Sequence, residues 1–410
     1  MSSKIFYGWR VVTACFVIAS FAWGLGLFGS SVYLQAVTAA RGWSVAQVSS
    51  AITVFLVTSA VIQRPLGRSI GVHGPRPALL AGAVSMVVSV VSIGLVDSLW
   101  QLYPCFVLLG VGWATLSTTG ISATVAPWFE RHQGRSITLA ITGASLGAIV
   151  FVPLLIFVVG RWGLRDGLFG IGATAAIVLL PLVSIVLRYR SPAELSLERD
   201  GDVPENDKVV RTAGSRIATP SNRRRLIWSS TAAFSLVLLV QIGFIAHHVK
   251  LAEPFLGTVG AGLLVSATGV VTFVGRLYLA KVVDASPVRR LASQAMITQF
   301  AAMLAIAVYP SAPVIVMASL AYGFAIGHVT SLSPIVVRRE FGADEFGEVY
   351  GSAATVIQLS SALGPAFVGY LRDLLGGYPG TFLVCAVVSG VGCAVLRLGG
   401  CAATRSFPGR

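Results

Sequence analysis

Apolar positions in this chain neither alternate nor recur every third or fourth residue. They fill whole windows of roughly 18 residues or more, long enough to cross about 30 Å of hydrocarbon as helix. Twelve such blocks are readable, at roughly 9–36, 45–67, 77–96, 101–126, 136–160, 166–187, 227–249, 257–280, 288–309, 312–336, 347–370 and 379–398. One longer stretch, from Arg188 to Arg225, is polar and of mixed charge. It cannot bury enough apolar surface to fold alone and reads as a linker. The expected organisation is a six-helix bundle over 1–188, a linker over 189–226, and a second six-helix bundle with a short tail over 227–410. The fold class predicted is therefore an all-α integral membrane protein of twelve transmembrane helices in two six-helix bundles.

Composition sharpens this. Hydrophobic residues make up 55% of the chain and charged residues 11%, against about a quarter charged in soluble proteins. A large soluble α/β core is excluded, because its apolar runs would be of strand length. The net charge of +14 would suit nucleic acid if it formed one face, but it follows the loops. With a cytoplasmic N-terminus, only Arg41, Arg161, Arg165, Lys250 and Arg372 fall on the outer side, and Arg276 falls inside a span. That bias is the positive-inside pattern, so both termini are expected in the cytoplasm and no nucleic-acid partner is expected. The first apolar run is of span length without a small-residue cleavage site, so it reads as a helix and not a signal peptide. The five cysteines, Cys15, Cys105, Cys385, Cys393 and Cys401, have no CxxC spacing, and neither a metal nor a cofactor is expected. Arg outnumbering Lys, with abundant Ala, Gly and Val, points to a GC-rich bacterial gene and hence to a bacterial inner membrane.

Equal halves suggest duplication. At one fixed spacing along the chain, Gly110 meets Gly323, Gly134 meets Gly347, Gly163 meets Gly376, Gly167 meets Gly380 and Phe169 meets Phe382. Two parallel six-helix repeats with a site at mid-membrane form a known transporter architecture. Gly143 and Gly147 lie one turn apart and predict close helix packing. Pro153 and Pro365 predict kinks.

Several segments carry a resemblance. YGWRVV (7–12), PWFERHQGRSITLAITGASLGA (127–148) and RWGLRDGLF (161–169) resemble the monocarboxylate and oxalate/formate transporter branch of the major facilitator superfamily. GVHGPRPALL (71–80) resembles the superfamily's loop between the second and third helices, and GRLYLAKVVD (275–284) its second-half counterpart. The resemblance implies gating roles for Gly71, Arg76 and Asp284, although the family loop usually carries Asp where Gly71 stands. It also implies that Arg276 of the eighth helix holds a substrate carboxylate. Relatives place a Lys near Leu27 and some an acid near Thr272, so their acid-plus-Lys proton relay does not carry over.

On the residues alone, Arg276 has two readings. Its fork suits a carboxylate, or it snorkels past Lys281 to the cytoplasmic face. Asp97, Asp166, Glu253 and Asp373 all sit near span ends, so no mid-span carboxylate is available to pair with it. His328 is either a titratable cavity group or a histidine bonded to a helix carbonyl. His247 and His248, beside Lys250, read as an exposed surface pair or a basic vestibule, and His73 and His132 as structural loop residues. Ser117, Thr118 and Thr119 offer hydroxyls to a substrate or to their own helix carbonyls. Leu27, Phe28 and Ala144 suggest a small apolar pocket, with Thr142, Ser145, Gln241, Tyr278, Tyr322 and Gln358 as further mid-membrane candidates.

No nucleophile–base set, metal spacing or phosphate loop is present, so the chain is not expected to be an enzyme. The expected function is secondary active transport of a small monocarboxylate, lactate-like or pyruvate-like, with a proton, by alternating access in a monomer embedded in the lipid bilayer. The alternatives are anion exchange of the oxalate/formate type, efflux of neutral or lipophilic compounds, and a membrane sensor acting through the linker.

Overall fold

A computed structural model of the chain describes residues 6–129, 133–189, 191–196, 198, 222–283 and 286–404. Among these residues the regular structure is entirely helical. Ten helices among the described residues are long and apolar enough to cross a membrane. They are α1 (Tyr7–Arg41), α2 (Val45–Gln63), α3 (Pro75–Leu95), α4 (Leu99–Trp128), α5 (Ser136–Arg188), α6 (Arg223–Leu279), α7 (Val288–Val308), α8 (Ala312–Phe341), α9 (Ser352–Leu374) and α10 (Tyr378–Gly399). Two are of double length, at 53 and 57 residues, when about 20 suffice for one crossing. Each contains one glycine in a positive-φ conformation, Gly163 (φ 79°) in α5 and Gly257 (φ 67°) in α6. The expected fifth and sixth spans therefore follow one another through a single residue, as do the seventh and eighth. Ten helices with two doubled supply the length for the twelve crossings predicted by hydropathy.

The ends of the helices are specified locally. Ser44 and Gln47 form a reciprocal capping box at the start of α2, with Gln47 N–H donating to Ser44 Oγ at 3.2 Å and Ser44 N–H to Gln47 Oε1 at 3.0 Å. The α2 helix itself continues to His73, and Pro75 already opens α3. The expected loop over 71–80 thus shrinks to Gly74 alone. Its φ of 83° permits the reversal, and Pro75 at the first turn needs no N–H partner. Gly71 consequently lies in a helix and not in a loop.

The chain divides into two compact units, Met1–Lys208 and Val209–Arg410. In the first, α1 packs on the first limb of α5, α2 and α3 pack on α4, and α3 packs on α5. In the second, α6 packs on α8, α9 and α10, and α7 packs on α8 and α10. The glycines that seat these helices repeat. A β-carbon on Gly110 would stand 2.6 Å from the Phe55 carbonyl oxygen, and one on Gly323 would stand 2.9 Å from that of Thr268. Phe55 and Thr268 are themselves separated by the same repeat spacing as the two glycines. Outside that spacing, a β-carbon on Gly147 would meet Gly24 N at 2.7 Å, and one on Gly364 would meet Gly243 N at 2.7 Å. Gly143, against the Phe16 carbonyl, completes the close packing of α1 on α5. Substituting any of these glycines drives two backbones apart.

Three irregularities interrupt the spans. A π-helical turn occupies Ala22–Phe28 in α1 and a second occupies Gly147–Phe151 in α5, and the two are in contact. In α4 the helix breaks at Ser117, whose backbone is extended (φ −89°, ψ −157°). Pro153 follows the second π-turn. Pro365 stands just after the break at Leu363 that starts the outer part of α9.

Candidate functional site

In the second unit, one helix crossing gathers three of the predicted site residues, Thr272, Arg276 and His328. Thr268, Thr272 and Arg276 recur every fourth position on the second limb of α6, so they share a face. Opposite them on α8 stand Gly323 and Gly327, again one turn apart. A β-carbon on Gly327 would lie 2.6 Å from the Thr272 carbonyl oxygen and 3.0 Å from Arg276 Cγ. The missing side chain is thus the space that the Arg276 stem and the α6 backbone occupy. Thr272 Oγ1 stands 2.8 Å from both the Thr268 and the Gly323 carbonyl oxygens, so its hydroxyl bonds the two helices together.

His328 follows Gly327. Its Nδ1 donates to the Phe324 carbonyl at 2.8 Å, because a carbonyl can only accept. The neutral ring therefore carries its proton on Nδ1, and Nε2 is the basic nitrogen. The ring packs at 4.6 Å on Phe324 and 6.1 Å on Tyr278. His328 is thus a histidine bonded to its own helix carbonyl, with Nε2 left as an acceptor.

Arg276 itself is half-buried, and its Nε is enclosed with no hydrogen-bond partner. Among the described residues no carboxylate pairs with it. A guanidinium inside a membrane helix is costly unless it meets a counter-ion, polar groups or water. The arrangement offers a forked donor for a planar anion.

Other candidates fall elsewhere. Tyr322 is fully buried, its ring 4.2 Å from that of Phe244 and its hydroxyl without a partner. Gln358 is half-buried on α9. In the first unit, Leu27 belongs to the π-turn of α1 and is half-buried, whereas Ala144 is buried in α5. Thr118 is exposed at the α4 break, and Thr119 Oγ1 donates to Gln63 Oε1 of α2 at 2.7 Å and not to its own helix. Trp23, Trp113 and Phe55 stack edge to face nearby, with ring centroids 4.8 and 5.9 Å apart.

The histidine pair is a correction. His247 and His248 are 0% and 3% exposed, not a surface pair. His247 Nε2 donates to the Pro365 carbonyl at 3.1 Å and Nδ1 faces the Tyr378 hydroxyl at 3.1 Å, so both nitrogens of a neutral ring are matched. His248 Nε2 meets Ser319 Oγ at 3.0 Å, and its ring packs on Phe244. These contacts absorb two side chains whose sequence neighbourhood, ending in Lys250, reads as surface. His73 is exposed at its helix end, and His132 lies outside the described residues.

Of the gating residues, Asp284 also lies outside the described residues. Arg76 Nη2 donates to the Ser184 carbonyl at 3.0 Å. Arg289, which stands at the repeat position of Arg76 in the second half, has far more partners. It is paired with Glu340, which is 2% exposed, and donates to the Leu396 carbonyl at 2.7 Å and Ser230 Oγ at 3.0 Å. Sequence reasoning misses Arg289, Glu340, Gln63 and the Gln241–Gln299 hydrogen bond of 2.7 Å. Only Arg289 has an available signal, its repeat relation to Arg76. Among the described residues no group of histidines, cysteines and acids is arranged to hold a metal.

The family model described as Major Facilitator Superfamily matches residues 14–249 and 227–404. Monocarboxylate transporter 13 of Bos taurus is 27% identical over 404 residues, covering 95% of this chain and 88% of that protein. An oxalate:formate antiporter of Oxalobacter formigenes is 26% identical over 206 residues, covering 50% and 47%. Among solved structures, a D-xylose-proton symporter superposes with a TM-score of 0.73 at 14% identity, covering 96% of this chain and 97% of that one, which speaks to the fold. A multi-pass helical chain built from two repeated halves, matched along nearly its whole length by one family model, belongs to the Major Facilitator Superfamily of membrane transporters.

Proposed function

We propose that the protein is a secondary active transporter that moves a small monocarboxylate, lactate-like or pyruvate-like, together with a proton, by alternating access. The observation that carries this reading is Arg276, half-buried in a membrane helix with an enclosed, unpartnered Nε and no protein counter-ion among the described residues. A substrate carboxylate supplies the missing charge and accepts two parallel N–H bonds from the fork. The resemblance to monocarboxylate transporters over 95% of the chain supports the same substrate class. One visible arginine favours one carboxylate over two. The proton travels either on His328 Nε2 or on the substrate as the neutral acid. The setting is a bacterial inner membrane with both termini in the cytoplasm, as the distribution of Lys and Arg suggests.

Anion exchange is the second reading, favoured by the same arginine. If Arg276 has no partner when empty, its return across the membrane without substrate moves an uncompensated charge, and loaded exchange is then the faster cycle. The antiporter relative agrees with that.

The test is uptake of labelled lactate, and of a panel of short carboxylates, into proteoliposomes with and without an inward proton gradient. Wild type is expected to accumulate one acid with the gradient, and R276A to lose at least about 10-fold of that uptake, the scale of one charge-assisted pair. R276K, which keeps the charge but not the fork, is expected to fall between. Uptake seen only against preloaded anion selects exchange. Normal transport of carboxylates by R276A overturns the site.

A further inference from the structure

We propose that the first unit carries a second anion site, distinct from the one at Arg276, that binds a phosphate group. It is a cavity of about 600 Å³ lined by Tyr7 at the start of α1, Arg76 at the start of α3, and Ser184, Ile185, Arg188 and Tyr189 at the end of α5. By chain order these three helix ends lie at one membrane face, the level at which lipid headgroups sit. Among the described residues the lining holds two guanidiniums, two phenols and a serine, and no carboxylate.

The donors are held but not used up. Of the five N–H donors of Arg76, one, on Nη2, is committed to the Ser184 carbonyl, and its enclosed Nε has no hydrogen-bond partner. Tyr7 is pinned by donating to the Val186 carbonyl at 2.9 Å and by its ring neighbours Trp128 and Tyr189 at 5.3 and 5.7 Å. Arg188 rests on the face of Tyr189 at 5.8 Å, and Arg10 on that of Tyr7 at 5.9 Å. Stacking of this kind fixes a guanidinium plane while leaving its N–H edges available.

The duplicated half makes the missing partner visible. Arg289, at the repeat position of Arg76, is closed off by the carboxylate of Glu340 together with the Leu396 carbonyl and Ser230. The repeat position of Glu340 in the first half is Pro127, which has no charge. Where the second unit supplies an internal anion, the first has an open basic cavity. A phosphate group, tetrahedral and with more acceptor oxygens than a carboxylate, suits a lining that offers two guanidiniums and hydroxyl donors at once. Two sources carry that chemistry, an anionic lipid headgroup and free inorganic phosphate.

The experiment follows the thermal unfolding of the full chain in neutral detergent at constant ionic strength. The titrants are dihexanoyl phosphatidylglycerol, dihexanoyl glycerol and inorganic phosphate. Phosphatidylglycerol is expected to raise the unfolding temperature saturably, and dihexanoyl glycerol, which lacks the phosphate, to leave it unchanged. R188Q, at an exposed position, and R76K are each expected to weaken the apparent affinity by about 10-fold, while R224Q, an exposed arginine of the other unit, leaves it unchanged. Saturation by inorganic phosphate with the same variant pattern keeps the site and makes its ligand soluble. If neither phosphate compound saturates, or R188Q binds as wild type does, the proposal is overturned.

Discussion

Arg276 and Gly327 constrain each other. A side chain at 327 would displace the arginine stem or part α6 from α8, so the position of the charge depends on a residue with no chemistry of its own. Hydropathy exposes the charge in the span but not the glycine opposite, which belongs to another helix. His247 is illegible for the same reason. Its partners, Pro365 and Tyr378, stand 118 and 131 residues away, and nothing near it in sequence announces them. Phenylalanine at 247 keeps the ring and removes both bonds, leaving a buried carbonyl and a hydroxyl without their present partner. H247F is expected to destabilise by about 2 kcal/mol or more, read as a lower unfolding midpoint in detergent, with Y378F costing roughly half. An unchanged midpoint in H247F would mean that the histidine does not secure the break in α9.

At the scale of helices, the spans were legible because lipid demands long uninterrupted apolar helix and tolerates little else. Their internal irregularities were not. The π-turns at Ala22–Phe28 and Gly147–Phe151 and the break at Ser117 change hydrogen-bond register without changing hydropathy. The single-glycine reversals were half-legible, as a dip in apolarity without a turn type. Gly163 and Gly257 meet nothing within 4 Å of an added β-carbon, so alanine there pays only for the positive φ. G163A and G257A are each expected to cost about 1–2 kcal/mol, whereas G147A, which pushes on the Gly24 backbone, costs more. Thermal unfolding of the three variants side by side checks the order, and G163A proving as costly as G147A would contradict the reading.

Across the whole molecule the duplication was visible as scattered glycine matches, and the structure explains why those residues keep it. Gly110 and Gly323 sit where backbones touch, on Phe55 and Thr268, and Gly163 and Gly376 hold the positive φ of a helix reversal, so these four cannot drift as surface residues do. Charges are not so constrained, and the two halves have diverged there. Removing the carboxylate of Glu340 would strand Arg289 in a buried setting, and E340A is expected to lose about 3–5 kcal/mol. R76Q gives up one carbonyl bond and is expected to lose about 1 kcal/mol. Comparable losses from the two substitutions, measured by thermal or denaturant unfolding, would show that the halves use the paired arginines alike. At the lipid boundary, Trp100, Trp162, Trp228, Tyr309 and Tyr370 stand more than half exposed near helix ends, where amphipathic rings settle at the headgroup level.

The brevity of the connections at one end of each half has a consequence for what can reach the chain there. On the side away from the N-terminus the chain turns through 42–44, 96–98 and Gly163 in the first half, and through Gly257, 309–311 and 375–377 in the second. None of these turns is longer than a single tight reversal. Proteases and antibodies both recognise extended, accessible chain, and on that side there is almost none to grip. Epitope tags and cleavage sites therefore belong away from these turns, in the long polar stretch between the halves.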